Sequence, residues 1–303
     1  MMHARLKTNP KLYILNCCMK IVMLLCLHLC IYGHAFCQNE KLSLIPQPVS
    51  LLQGNGSYSL PATISIGATK ESDVIRIQQI LGTQLAAATG KKVQYVSMLK
   101  NTGAHTIVLA IVADNSIAKE GYRLQVSAAG ISLKATNAAG IFYGVQTLLQ
   151  LLPREIESKS VSKNTRWSVP FVTIEDHPRF GWRGVMLDVV RHWFTKEQVK
   201  DFIDDMVRFK FNMLHLHLSD DQGWRIEIKS LPKLTEVGAW RANRTGRWGD
   251  FTKPTADEPK TYGGFYTQED MKELIQYAKE RFVTIMPEID VPGHSLAAVA
   301  SYP

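Results

Sequence analysis

Three apolar runs dominate the hydrophobic pattern: Val185 to Val190, Met213 to Leu218 and Val283 to Ile289, each ending in or beside charged or imidazole side chains. Buried parallel strands read as nearly continuous apolar runs, and reactive groups gather where their carboxyl ends meet loops. Helical patterns lie between them. Thr195 with Gln198 forms a capping box ahead of Val199, Phe202, Ile203, Met206 and Phe209; Thr267 with Asp270 forms another ahead of Met271, Leu274, Ile275 and Ala278. Ser295 to Ala300 begins a further helix. Repeated βα units predict a parallel sheet, open or closed into a barrel. Upstream the pattern changes to short alternating segments at Ser57 to Leu60, Thr63 to Ile66, Thr106 to Ile111, Tyr122 to Val126 and Ile131 to Ala135, which predict half-buried antiparallel strands. Asp73 to Ala88 and Ala138 to Leu152 read as helices, and Gly121 to Thr136 as a hairpin feeding the second of them. These imply an α+β domain over 38–170, closed by a polar surface loop from Glu155 to Thr165, and a βα domain over 171–303.

Charge and cysteine usage add a leader. Half of the formal +8 sits on Arg5, Lys7, Lys11 and Lys20, with no acid before Gln38. Ile21 to Tyr32 is apolar but too short to span a bilayer, so 1–37 is expected to be a secretory signal, with Met19 as an alternative start and cleavage after Cys37. Export to the periplasm or medium follows; a lipid on Cys37 is disfavoured by the bulky Phe36 before it. All five cysteines lie in that leader, which removes disulfides, thiolate metal sites and a cysteine nucleophile from the mature chain. No transmembrane span is expected, and the modest, unclustered surplus of Lys and Arg argues against nucleic acid.

Several polar residues at strand ends could carry chemistry. Asp220-Asp221-Gln-Gly-Trp224 reads either as an ordinary turn or as a carboxylate that orients a partner group beside an indole stacking surface. His294, four residues after Asp290 at the end of a strand that carries Glu288, either caps the next helix or forms a charge relay with an aspartate. Arg191 either pairs with a structural acid such as Asp188 or offers a fork of donors to sugar hydroxyls. His215 and His217 suggest a metal-dependent hydrolase, but strand alternation places them opposite Asp220 and toward the helix layer, so no metal site is expected.

Taken together, Arg183-Gly184 with Leu187-Asp188 and Arg191-His192, then 217–225 (HLSDDQGWR), 262–267 (YGGFYT) and 287–294 (PEIDVPGH) resemble glycoside hydrolase family 20, the β-N-acetylhexosaminidases. Gly121-Tyr-Arg-Leu through 139–148 (AGIFYGVQTL) resembles the small α+β domain that precedes the barrel there. The resemblance implies an α+β domain followed by the first three βα units of a (β/α)8 TIM barrel. It also implies removal of terminal non-reducing β-linked N-acetylglucosamine or N-acetylgalactosamine from oligosaccharides or glycoconjugates, chitobiose among them. The substrate's own acetamido oxygen would attack the anomeric carbon to form an oxazolinium, without a cofactor. By position, Arg191 would hold ring hydroxyls, Asp220 and His294 would form the relay to the acid/base glutamate, and Asp188, Glu288, Asp290 and Trp224 would support them.

In that family the catalytic Asp-Glu pair belongs to the next barrel strand. A closed barrel takes about 250 residues, so the expectation is the front part of a longer enzyme, inactive by itself. A non-catalytic carbohydrate-binding remnant and a metal-dependent hydrolase are the alternatives.

Overall fold

The computed structural model describes residues 42–97, 106–243, 255 and 257–303, so the expected leader at 1–37, with its cysteines, lies outside the described residues. The first half is a seven-stranded mixed sheet. Along the chain come β1 (Ser50–Ser59), β2 (Thr63–Ala68), helix α1 (Ser72–Thr89), β3 (Lys92–Ser97), β4 (Thr106–Ile111), β5 (Tyr122–Ser127), β6 (Gly130–Ala135), helix α2 (Ala138–Leu151) and, after a 3-10 turn at Arg154–Glu157, β7 (Ser168–Asp176). Their spatial order is β1-β7-β5-β6-β4-β2-β3.

The alternating segments are strands as expected, and β5–β6 is the expected hairpin, but β2 pairs in parallel with β3 and β4, and β4 with β6. One apolar face per strand suits either direction, so alternation alone does not reveal the parallel pairs. Ile64, Ile66, Leu109, Leu124 and Leu133 pack with Val74, Ile77, Leu81 and Leu85 of α1 and with Ile141, Val145 and Leu148 of α2 in the core. The expected boundary at 170 falls inside β7, which contains Pro170 and pairs with β1 and β5 as far as Asp176.

Gly140, in the first turn of α2, lets the helix approach the hairpin. A Cβ there would strike the Gly121 carbonyl oxygen and come 2.8 Å from the Ala135 methyl. Gly140→Ala is therefore expected to destabilise the protein by about 2 kcal/mol, because overpacking outweighs the ~1 kcal/mol helix-propensity gain. Urea denaturation checks this, and an unchanged midpoint would show that the helix can shift.

The second half begins with β8 (Gly184–Asp188), followed by α3 (Lys196–Arg208), β9 (Met213–His217), β10 (Ser219–Asp220), β11 (Gly223–Trp224), α4 (Lys233–Glu236), β12 (Trp240–Arg241), β13 (Tyr262–Gly263), α5 (Gln268–Lys279), β14 (Thr284–Glu288) and α6 (Leu296–Ser301). Both capping boxes form as the sequence predicts, Thr195 with Gln198 and Thr267 with Asp270. Strands β14, β9 and β8 make a three-stranded parallel sheet in that order, in register from Gly184–Met213–Thr284 to Asp188–His217–Glu288. No closed barrel exists among the described residues.

The register assigns the faces. Leu214, Leu216 and Leu187 are buried, as are Val199, Ile203 and Met206 of α3 and Met271, Leu274 and Ala278 of α5. On the other face Met186 is 53% exposed and borders an open apolar depression with Phe180, Trp182, Met213, His215 and Met286. Helices α3 and α5 are tied side by side by Lys196 to Asp270 (2.7 Å) and by Arg281 to Asp204 (2.6 Å).

Lys210, just before β9, links the two halves. Its buried ammonium donates to Asp176 Oδ2 (2.7 Å) and Tyr122 Oη (2.9 Å), and its carbonyl accepts from Arg183 Nε (2.7 Å). Burial lowers the Lys210 pKa, and the Asp176 carboxylate opposes that shift. This anchors the entry to β9, and through it the side chains at its far end.

Candidate active site

The carboxyl ends of β8, β9 and β14 bring Asp188, His217 and Glu288 into one transverse row. A fourth group joins from β10. Asp220, 1% exposed, receives Arg191 Nη2 at 2.5 Å and lies 2.9 Å from His217 Nε2 through Oδ2; its Oδ1 accepts the Asp221 amide (2.7 Å) and lies 3.2 Å from His294 Nδ1. Asp220 is thus the hub of the cluster.

Arg191 is held from both sides, since Nη1 donates to Asp188 Oδ2 at 2.8 Å. Asp188 Oδ1 in turn accepts the Val190 and Arg191 amides (2.9 and 3.0 Å), which folds the chain after β8 into a tight turn that points Arg191 back across the strand ends. Burial alone would raise the Asp188 pKa, but these hydrogen bonds outweigh it and hold the carboxyl below its usual range. Burial likewise works against the Arg191 charge, and Asp188 and Asp220 overcome it, so its pKa rises. Both readings of Arg191 meet here: it pairs with Asp188 and remains 38% exposed at the side chain.

Behind the turn lies Arg225, fully buried, whose guanidinium donates to the carbonyls of Val189 (3.2 Å), Val190 (2.7 Å), Ala239 (2.6 Å) and Gly264 (3.0 Å). Burial pushes its pKa down to about 10. One planar fork therefore joins the β8 turn to the β12 and β13 loops, and the Trp193 ring stacks on it with 5.6 Å between guanidinium carbon and ring centroid. Gly264 has φ +155, and a Cβ there would come 2.7 Å from Trp193 Nε1, so this crossing needs glycine.

Some expectations fail here. The histidines do not face the helix layer. His217 joins Asp220 and Arg191, while His215 Nε2 contacts Glu288 Oε2. Alternation would hold only for one continuous strand from Met213 to Asp220, but β9 stops at His217 and β10 starts a separate hairpin, so Leu218 resets the parity. Leu214 and Leu216 take the helix-facing side. Trp224 offers no stacking surface: it is 7% exposed, and its indole donates to the Ile226 carbonyl (2.7 Å). Asp221 is engaged elsewhere, accepting the Leu296 amide (3.1 Å) at the start of α6. Asp290 donates its amide to Ser219 Oγ (2.9 Å).

His217 and Arg225 are the residues that sequence reasoning missed. The unbroken Leu214, Leu216, Leu218 triplet was the available signal that the histidines, not the leucines, face inward. His217, Asp220 and Asp290 bring possible metal-ligand atoms within 4.8 Å of one another, as do Asp220, Asp221 and His294. In the first group the Arg191 guanidinium already supplies the cation against Asp220.

Models of two domains match almost end to end: "glycosyl hydrolase family 20, domain 2" over residues 41–177 and "glycosyl hydrolase family 20, catalytic domain" over 180–303. The chain belongs to glycosyl hydrolase family 20. Within that family it is 40% identical over 265 residues to a β-hexosaminidase of Porphyromonas gingivalis, covering 88% of this chain and 32% of that protein. It is 34% identical over 270 residues to an N,N'-diacetylchitobiase of Vibrio harveyi, covering 87% and 28%. Among solved structures, the family-20 β-N-acetylhexosaminidase of Streptomyces coelicolor A3(2) superposes with a TM-score of 0.75 at 39% identity, over 86% of this chain and 48% of that one. The Streptomyces plicatus enzyme in complex with Thio-NAglucal gives 0.74 at 40%, with the same coverage. This family-20 chain therefore spans between 28% and 39% of the length of the first curated relatives it matches.

Proposed function

We propose that this chain contributes the first part of the active site of an exo-acting β-N-acetylhexosaminidase, one that removes terminal β-linked N-acetylglucosamine or N-acetylgalactosamine with retention. The observation that carries the reading is the Arg191–Asp220–His294 cluster at the strand ends of a chain that matches the family on both of its halves. Arg191, fixed by two carboxylates, presents its remaining N–H groups to vicinal ring hydroxyls in a set orientation. His294 is 56% exposed at its side chain while Asp220 is buried. The carboxylate therefore holds the imidazole through Nδ1, leaving Nε2 to steady an acid/base carboxyl group.

In this reading the substrate's acetamido oxygen is the nucleophile. It forms a bond to the anomeric carbon as the leaving oxygen takes a proton, giving a neutral alcohol and an oxazolinium that water then opens. We assign the Asp-Glu pair that polarises the acetamido group and protonates the leaving oxygen to a further strand of the complete enzyme. The open apolar face around Met186 and Met286 is consistent with more strands closing over it. The basic, apolar leader supports export of the protein.

Because the chain spans only part of its relatives' length, the test uses the product of the complete gene. It should hydrolyse aryl N-acetyl-β-glucosaminides, leave the corresponding β-glucosides intact, and be inhibited competitively by the bicyclic thiazoline analogue of the oxazolinium. Equal rates on both substrates would overturn acetamido participation.

A further inference from the structure

We propose that His217 is a positioning residue for Asp220, held in place by a proton shared between its Nδ1 and Glu288 Oε2. The effect on turnover rests on the hexosaminidase reading; the shared proton does not. His217 is 3% exposed. Its Nε2 lies 2.9 Å from Asp220 Oδ2 and its Nδ1 lies 3.1 Å from Glu288 Oε2. Both Nδ1 and Oε2 are buried, and neither makes an aligned hydrogen bond, to the other or to any further protein group; His215 Nε2 also contacts Oε2.

A neutral imidazole has one N–H. Placed on Nδ1, it leaves the Nε2 lone pair facing a carboxylate oxygen at 2.9 Å; placed on Nε2, it leaves the Nδ1 lone pair facing another at 3.1 Å. Two acceptors do not sit at hydrogen-bond distance in a buried site without a proton between them. Both of these carboxylate contacts carry a proton only when Nε2–H donates to Asp220 and a second proton lies between Nδ1 and Glu288.

The surrounding charges favour this arrangement. Around His217 stand Asp188 from β8, Asp220 from β10, Glu288 from β14 and Asp290 after it, against the single guanidinium of Arg191; His215 and His294 complete the set. The 3.1 Å approach of Arg191 Nη1 to His217 Nε2 opposes an N–H there, but that guanidinium is itself bound to Asp188 and Asp220. With Oδ2 filled by Arg191 and His217, Asp220 offers Oδ1 to His294. Glu288, on the neighbouring strand, thereby acts on His294 through His217 and Asp220.

The direct test is NMR of protein labelled with 15N-histidine. His217 should show protons on both ring nitrogens, and the Nδ1 proton should be lost in Glu288→Gln. A single N–H, insensitive to that substitution, overturns the proposal. Kinetics on an aryl N-acetylglucosaminide give the second reading. His217→Gln keeps a side-chain donor for Asp220 and should hold kcat within about 10-fold of the parent, whereas His217→Phe should lose about 100-fold in kcat with KM changed less than about 3-fold. A loss in His217→Phe confined to KM would show that His217 serves only to place Arg191, which also overturns it. If the parent fails to hydrolyse the substrate, the hexosaminidase reading fails, and the NMR result still decides the shared proton.

Discussion

Asp220→Asn in the complete gene product is expected to lower kcat by about 100-fold or more and to destabilise the fold by about 3 kcal/mol. Asp220 meets only donors: Arg191 and His217 on one oxygen, the Asp221 amide and His294 on the other. An asparagine replaces one of those oxygens with an NH2 group, so whichever way the amide turns, donor faces donor in a buried site. Arg191 also loses one of its two carboxylates, so KM should rise with the fall in kcat. His294→Ala separates the two effects: its side chain is more than half exposed, so it should share the kcat loss while the urea midpoint stays put. Turnover within about 3-fold of the parent in both variants would remove the relay.

The second large effect is expected at Arg225. Arg225→Leu leaves the carbonyls of Val189, Val190, Ala239 and Gly264 without this donor in a dry site, and should cost about 4 kcal/mol in urea denaturation. Arg225→Lys should recover little, because one ammonium cannot span acceptors spread over three loops as a planar fork does. Since two of those carbonyls immediately precede Arg191, the Lys variant should also bind an N-acetylglucosaminide more weakly. A change below about 1 kcal/mol in the Leu variant would mean that the loops hold themselves in place.

Local signals in the sequence are enough for the helices and strand ends of the second half. Thr195 and Thr267 cap their helices as read, and the three apolar runs are the three parallel strands, because buried strands and capping boxes are set by neighbouring residues. Asp188, Arg191, Asp220 and His294 lie at strand ends, and the fold brings them together there. What failed depends on non-local geometry. The faces of His215 and His217 turn on where β9 stops, which the hairpin pairing Ser219 with Trp224 decides. The polar turn around Trp224 suggests a surface indole, yet that hairpin and α6 pack over it. Arg225 carries no local mark, since its partners are backbone carbonyls up to 39 residues away. Strand β3 and the run of β7 to Asp176 are defined mainly by the strands they pair with.

Retaining, acetamido-assisted hydrolysis is the central claim, and the stereochemistry of the first product tests it most directly. Chitobiose mixed with the complete gene product should be followed by proton NMR during the first turnovers. Initial release of the β-anomer of N-acetylglucosamine from the non-reducing end, relaxing later to the equilibrium mixture, is the predicted result; initial release of the α-anomer, or no hydrolysis at all, would contradict it.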